Sequence, residues 1–323
     1  NLGGTQLSDA IAGSVSVNNS GDISTAGTNS ALLAVQSIGG GGGKTTLSEN
    51  TPTAAAGSVI TLGDQNSARS KGGNVTVRNS GNLLSSGKGS TAIAVQSVGG
   101  GGGILNRLNI NLLGSDLQLG STENRDGSGG DIELRNTGQS IITKSDYSHA
   151  ILVQSIGAGG GWIAGSTLPT ASATIGAKQP SGKGPGGTIQ IANKADITTA
   201  GISSSGLTAQ SVGGGGGMVG RQTGSLTMGL SKGNGIANAG SIDITNSGFI
   251  STTGENSPGL ILQSIGGGGG RANSYQGNAQ LGLTGNGGIL QSKSGNINLI
   301  NSGNLITTEG YNSPGIAIQT IAG

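Results

Sequence analysis

The sequence contains no cysteine, which excludes disulfide bonds and thiolate metal sites. Aromatic side chains are nearly absent too, since there are one Trp, one Phe and three Tyr among 323 residues. Large rings supply much of the buried area in a compact globular core. This chain must therefore bury other side chains.

Charged residues are also few. Asp, Glu, Lys and Arg make up 9% of the chain, and 16 basic against 14 acidic residues leave a net charge of +2. The sequence has no basic patch with interleaved aromatics, which argues against nucleic acid as a partner. No apolar stretch approaches the ~18 residues of a membrane helix, so we expect no membrane insertion of this segment.

Glycine is abundant, with 69 residues against a usual share of about 7%. Hydrophobic residues make up 32% of the chain and fall in short alternating runs. Disordered chains combine low hydrophobicity with high charge, so we expect an ordered chain here. Because the sequence begins at Asn1 without a methionine, we interpret it as a mature or partial product, a fragment of a longer secreted protein.

Two short motifs recur six times along the chain. One is an apolar-x-apolar-Gln-Ser-Ile-Gly run, whose marker glutamines are Gln36, Gln96, Gln154, Gln210, Gln263 and Gln319. The other is an Asn-Ser-Gly turn, with two variant copies, whose marker asparagines are Asn19, Asn79, Asn136, Asn193, Asn246 and Asn301. Asparagine and glutamine are 17 or 18 residues apart in every copy, whereas 36 to 43 residues separate each glutamine from the next asparagine. A part of fixed length and a part that absorbs insertions are typical of a solenoid repeat.

The residues before each marker asparagine alternate polar and apolar side chains, as in Asn74-Val75-Thr76-Val77. This period of two predicts short strands, and the Asn-Ser-Gly turns suit sharp corners between them. We predict an all-β fold, a single-stranded parallel β-helix that is continuous over residues 1–323. Each unit would form either two coils of about 28 residues or three of about 19, in a rod on the order of 55–80 Å long.

A family resemblance rests on runs such as Ser90 to Gly103, preceded by Asn79-Ser80-Gly81. These runs resemble the passenger repeats of large bacterial autotransporter adhesins and, more loosely, filamentous-haemagglutinin-type adhesins. The similarity spans all six units. It implies a right-handed β-helix, export across the outer membrane, and an extracellular or cell-surface role in adhesion, biofilm or fibres.

The marker glutamine admits two interpretations. The residues three and one before it, such as Ile93 and Val95, are aliphatic and point inward, so Gln96 lies on the opposite face of its strand. The glutamines then either form a polar row that binds a partner or glycan, or satisfy backbone groups of the following glycine loop. We expect no direct glutamine ladder, because successive copies would lie two or three coils apart.

The five-residue glycine blocks are a second candidate, because ordering glycine is entropically costly. They form either a plain wide turn or a smooth ridge where another chain approaches closely. The residues at the centre of this lateral contact ridge are Gly41, Gly101, Gly159, Gly215 and Gly268.

Catalysis is disfavoured by the scattered acidic residues, since β-helical enzymes that act on polysaccharides need clustered carboxylates. The densest cluster is Glu123-Asn124-Arg125-Asp126, which we interpret as an exposed turn. His149 and Trp162 are single instances near the third marker glutamine, and a lone histidine without cysteine builds no usual metal site. We expect no catalytic residue, no cofactor and no metal.

These observations predict a non-catalytic structural or adhesive stalk of a bacterial surface protein, located outside the cell. The alternative is a self-assembling subunit of an extracellular filament or biofilm fibre, and a polysaccharide-acting enzyme is a remote third reading. The expected partners are other copies of the chain or neighbouring solenoid coils, and glycans or proteins of a host or bacterial surface.

Overall fold

The computed structural model describes residues 9–47, 59–63, 69–107, 116–121, 126–165, 169–176, 184–229, 236–282, 291–303 and 305–323. These residues form 27 β-strands and no helix. Every strand pair is parallel, and the strands stack into four sheets. The predicted fold class, a parallel β-helix, is confirmed.

Three of the four sheets, here called the first three, each contain one strand from each of six coils. The asparagine sheet, whose strands end at the marker asparagines, contains β1 (Val15–Asn19), β6 (Val75–Asn79), β11 (Ile132–Asn136), β16 (Ile189–Asn193), β20 (Ile242–Asn246) and β25 (Ile297–Asn301). The short sheet contains β2 (Ile23–Thr25), β7 (Leu83–Ser85), β12 (Ser140–Thr143), β17 (Asp196–Thr199), β21 (Ile250–Thr252) and β26 (Ile306–Thr308). The glutamine sheet contains β3 (Leu33–Ile38), β8 (Ile93–Val98), β13 (Ile151–Ile156), β18 (Leu207–Val212), β22 (Leu260–Ile265) and β27 (Ile316–Ile321).

The fourth sheet, here called the arm, follows the glycine blocks and consists of two parallel ladders. The outgoing ladder contains β4 (Gly42–Leu47), β9 (Gly102–Arg107), β14 (Gly160–Gly165), the first half of β19 (Gly216–Met228), and β23 (Gly269–Gln276). The returning ladder contains β5 (Val59–Leu62), β10 (Asp116–Leu119), β15 (Pro169–Ile175), the second half of β19, and β24 (Ala279–Leu281). The long strand β19 joins the two ladders into one sheet.

Each sequence unit forms one wide coil. Val75 pairs with Val15 in the preceding unit and with Ile132 in the following one, and the other strands repeat the same offset. The prediction of two or three coils per unit is therefore wrong. The short strands of a unit do not stack on one another; they lie around a single coil and pair only with their counterparts in the next unit. Six coils give five steps of about 4.8 Å, so the rod is about 24 Å long between its first and last rungs, not 55–80 Å.

The buried apolar residues form four clusters, and the two largest lie within the first three sheets and among the strands of the arm. The inward residues of the first three sheets, such as Val77, Ile93 and Leu134, form one core. Residues of the two arm ladders, such as Leu105 and Leu119, form a second core. Strand β8 is buried on both faces, whereas β6 alternates between buried and more accessible residues. Strands buried on both faces lose the alternation of polar and apolar residues, which explains the Ile-Ala-Val run at the start of β8.

Candidate functional site

The marker asparagines form a continuous ladder along the rod. Each Nδ2 donates a hydrogen bond to Oδ1 of the asparagine in the next coil, at 2.6 to 2.8 Å in all five steps. The same amide nitrogen of Asn79 also donates to the carbonyl of Gly81, 2.8 Å away, which holds the chain at the corner that follows. Asn79, Asn136, Asn193 and Asn246 are buried. A buried amide that is paired on both sides avoids the desolvation cost of a lone polar group.

The marker glutamines form a second ladder of the same kind, on the far side of the first core. Nε2 of Gln96 donates to Oε1 of Gln154 at 2.7 Å, and Gln154 repeats this bond to Gln210 at 2.7 Å. The expectation that no direct glutamine ladder forms is wrong, because successive copies lie in adjacent coils. The second interpretation is correct in part: Gln96, Gln154 and Gln210 also donate to the carbonyls of Gly103, Gly161 and Gly217, at 3.2 to 3.4 Å. Gln96, Gln154, Gln210 and Gln263 are buried, so these four do not form a polar row on the surface.

A row of serines that the sequence analysis missed comes directly after the marker glutamines. Oγ of Ser97 donates to the carbonyl of Gly73 at 2.7 Å and accepts from the backbone N–H of Gly130 at 2.8 Å. The serine thus ties the glutamine sheet to the loop before the asparagine sheet in two successive coils. Four other serines repeat the arrangement: Ser37, Ser155, Ser211 and Ser264. The Gln-Ser dipeptide is visible in the sequence, but the backbone groups that the serine bonds depend on the number of coils per unit.

The glycine blocks make the turn from the glutamine sheet into the arm, and their backbones touch between coils. Gly102 and Gly103 have φ angles of 126° and 127°, a backbone conformation that residues other than glycine rarely adopt. A Cβ on Gly102 would lie 2.0 Å from the carbonyl oxygen of Gly160 in the next coil. A Cβ on Gly101 would lie 2.7 Å from Cα of Gly63, where the returning ladder of the arm meets the turn. Glycine is needed at these positions both for backbone conformation and for close approach.

This packing corrects the predicted lateral contact ridge. Gly101, Gly159, Gly215 and Gly268 are buried, and only Gly41 in the first coil is partly exposed. The close backbone approach that the sequence predicted does occur, but it is made between coils of the same chain. The four buried glycines therefore offer no surface to another molecule.

The row of side chains that follows each glycine pair changes from cationic to apolar and back. In register order it contains Lys44, Ile104, Trp162, Met218 and Arg271. Partial burial lowers the pKa of Lys44, whose Nζ donates to the carbonyl of Asn29 at 2.9 Å. Burial likewise lowers the pKa of Arg271 to about 10. The two cations occupy the first and last strands of the outgoing ladder, where long side chains can bury their stems and keep their charged ends near water.

His149 and Trp162, singled out in the sequence, are in contact in the interior. Their ring centroids are 5.0 Å apart in an edge-on arrangement, and each residue is 2% exposed. Nδ1 of His149 lies 2.7 Å from Oγ of Ser205. Burial, followed by the positive charge of Arg271, lowers the pKa of His149 to about 3. The imidazole is therefore neutral at physiological pH, and it is enclosed by the protein.

The acidic cluster at residues 123–126 lies outside the described residues except for Asp126. Within the described ranges, no group of three or more His, Cys, Asp or Glu residues is placed to hold a metal ion. The same ranges contain no helix that is long and apolar enough to cross a membrane.

A depression that sequence reasoning also missed lies on the outer face of the asparagine sheet. Its volume is about 230 Å³, and it spans strands β11, β16, β20 and β25. The polar side chains around it are Glu133, Arg135, Gln190, Asp243, Thr245 and Asn298. Aligning the units on their marker asparagines places these residues in two rows. The members of a row become neighbours only when each unit forms one coil.

The fold and its amide ladders define a parallel β-solenoid with one coil per repeat. Comparison with family models, with curated proteins and with solved structures finds no match to this chain. The resemblance to autotransporter passenger repeats, and the right hand that it implies, therefore stay predictions.

Proposed function

We propose that this chain is a non-catalytic rod segment of an extracellular bacterial surface protein, where it acts as the stalk of an adhesin. The main support is the unbroken register of six coils, in which every sheet and both amide ladders run along the same axis. A pull along this axis loads the hydrogen bonds of all four sheets together. A stalk needs such a rigid spacer between the cell and its target.

The composition fits the same role. With no cysteine and 9% charged residues, the rod is held by main-chain hydrogen bonds and stacked side chains of the same type. The sequence resemblance to passenger repeats supports a location outside the cell.

A second function, assembly into an extracellular filament, is supported by the polarity of the ladders. In every step the donor nitrogen points toward the following coil, for glutamine and asparagine alike. The first described coil therefore presents Oε1 of Gln36, and the last presents Nε2 of Gln319. A further coil of the same repeat fits either edge, whether it comes from the same chain or from another copy. Subunits stacked head to tail would extend both ladders.

Deleting one coil in register tests the stalk proposal. Removing residues 75–131 joins Asn74 to Ile132 and keeps every row intact, because Val75 and Ile132 occupy the same position in successive coils. We expect the shortened chain to fold and, displayed in the full-length protein, to retain most of the attachment of cells to a coated surface. Cell attachment and the circular dichroism of the purified segment are the two readouts.

The matched control removes residues 75–103, which breaks the register and should prevent folding. Loss of attachment by a correctly folded in-register deletion would contradict the spacer role. So would turnover of a polysaccharide by the intact chain. Growth of filaments from the purified segment in electron micrographs would favour the second function.

A further inference from the structure

The depression on the asparagine sheet lies where one large side chain is missing from an outer row. Arg78, Arg135, Ala192, Thr245 and Ile300 follow one another in adjacent strands along this row. Ala192 is the only small residue among the five, and Arg135 and Thr245 stand on either side of it. With strands about 4.8 Å apart, the gap between these neighbours is about 9.6 Å across its base, wide enough for a single sugar ring.

A second row of polar side chains borders the gap. It contains Glu133, Gln190, Asp243 and Asn298, again in adjacent strands. Side chains two residues apart on one strand point to the same face, so this row lies about 6.6 Å from the first. The gap thus has an apolar floor at Ala192, a guanidinium on one side, and amide, carboxylate and hydroxyl groups around the rest.

The charges of the depression are only partly paired. Arg78, which lies outside the depression, forms an exposed ion pair with Glu133 at 3.4 Å. Among the described residues, no hydrogen bond or ion pair involves the side chains of Arg135 or Asp243, and both residues are exposed. A cation without a partner beside a cavity favours an anionic group, and a guanidinium matches a carboxylate with two parallel hydrogen bonds.

We propose that this depression binds a glycan unit that carries a carboxylate. The carboxylate pairs with Arg135, the ring lies over Ala192, and the ring hydroxyls donate to Asp243 and exchange hydrogen bonds with Gln190 and Thr245. Asp243 disfavours a second acidic group at the far side of the gap, so the site holds a single carboxylated ring, and the neighbouring rings of an oligomer lie outside it. This inference goes beyond the stalk role, because the rod can serve as a spacer with or without a ligand on its face.

The test uses trigalacturonic acid as the probe, in isothermal titration calorimetry with the intact chain at low salt. We expect saturable binding, and we expect Arg135→Gln to weaken it by about tenfold or more, since a charge-assisted bond contributes at least about 1.4 kcal/mol. Ala192→Gln, which fills the floor of the gap, should abolish binding. The matched control is Arg78→Gln, one coil away in the same row, which should change the affinity by no more than about twofold.

Three results would overturn the proposal: no saturable binding, equal weakening by Arg78→Gln and Arg135→Gln, or equal affinity for the methyl ester of the probe, which keeps the rings and removes the charge. Thermal unfolding of each variant separates this outcome from a failure of the stalk. A variant that loses binding but keeps its melting temperature has lost the site and not the fold. If Ala192→Gln lowers the melting temperature, Arg135→Gln decides the test.

Discussion

Gly103→Ala destabilises the rod by about 1–3 kcal/mol more than Gly43→Ala does, the cost expected when extra atoms are forced into a packed interior. The two glycines occupy equivalent positions in successive coils, and their φ angles are 127° and 129°. The backbone strain of an alanine is therefore the same in both. A Cβ on Gly103 would lie 2.2 Å from the carbonyl oxygen of Gly43, whereas a Cβ on Gly43 meets nothing within 4 Å.

The difference between these variants isolates the contact between coils. Urea unfolding followed by circular dichroism measures it, with Gly21→Ala as a further control, because a Cβ there has open space and no positive φ. Equal loss of stability in Gly43→Ala and Gly103→Ala would mean that only backbone conformation matters and that the coils do not touch at the glycine turn.

Gln154→Leu has the second large effect. It leaves one N–H of Gln96 Nε2 without its amide acceptor and Oε1 of Gln210 without its donor, in the buried middle of the ladder. The longer bond from Nε2 of Gln96 to the carbonyl of Gly103 remains. Leaving a buried polar group unpaired costs about 1–3 kcal/mol, so two such groups should lower the free energy of unfolding by about 2–6 kcal/mol. The shape of leucine fills most of the vacated space, so the loss reports mainly on the amide bonds.

The matched control is Gln319→Leu at the end of the same ladder. It removes one bond, from Gln263, at a residue that is exposed, so water can replace the lost partner. We expect a cost of about 1 kcal/mol or less. Thermal unfolding of both variants measures the contrast, and a Gln154→Leu protein as stable as the parent would show that the ladder contributes nothing.

The strands and their inward faces were predictable from local pattern. The alternation in Asn74-Val75-Thr76-Val77 placed Val75 and Val77 in the core, and the aliphatic positions around the marker glutamines placed Ile93 and Val95 there too. The fixed interval between Asn79 and Gln96 corresponds to the part of the coil that contains the first three sheets. Alternation fixes which face of a strand is buried, because successive side chains point to opposite sides.

The coil count was not predictable from alternation, because the pattern of a strand does not say which strand it pairs with. Short strands within one unit could stack on each other or on their copies 53 to 60 residues away. The amide residues carried part of the missing information. A buried amide at Gln96 or Asn79 needs hydrogen-bond partners, and an identical amide one rung away can supply them. An incorrect number of coils per unit excludes the glutamine ladder and assigns the glycine blocks to the surface.

The surface depression was out of reach for the same reason. Arg135 and Asp243 are 108 positions apart in the sequence and become neighbours across two coil steps only in the observed register. Neither belongs to a motif. Their relation follows from the outer rows, which the repeat markers define only when one unit equals one coil.

The most direct test of one coil per repeat is a distance along the rod. Ser16 and Asn298 are exposed and occupy the same outer row, in the first and last coils. Because the chain has no cysteine, Ser16→Cys and Asn298→Cys can be spin-labelled without further changes. Five coil steps predict a backbone separation of about 24 Å, which pulsed electron resonance measures. A separation of about 48 Å or more, as two or three coils per repeat require, would contradict the account.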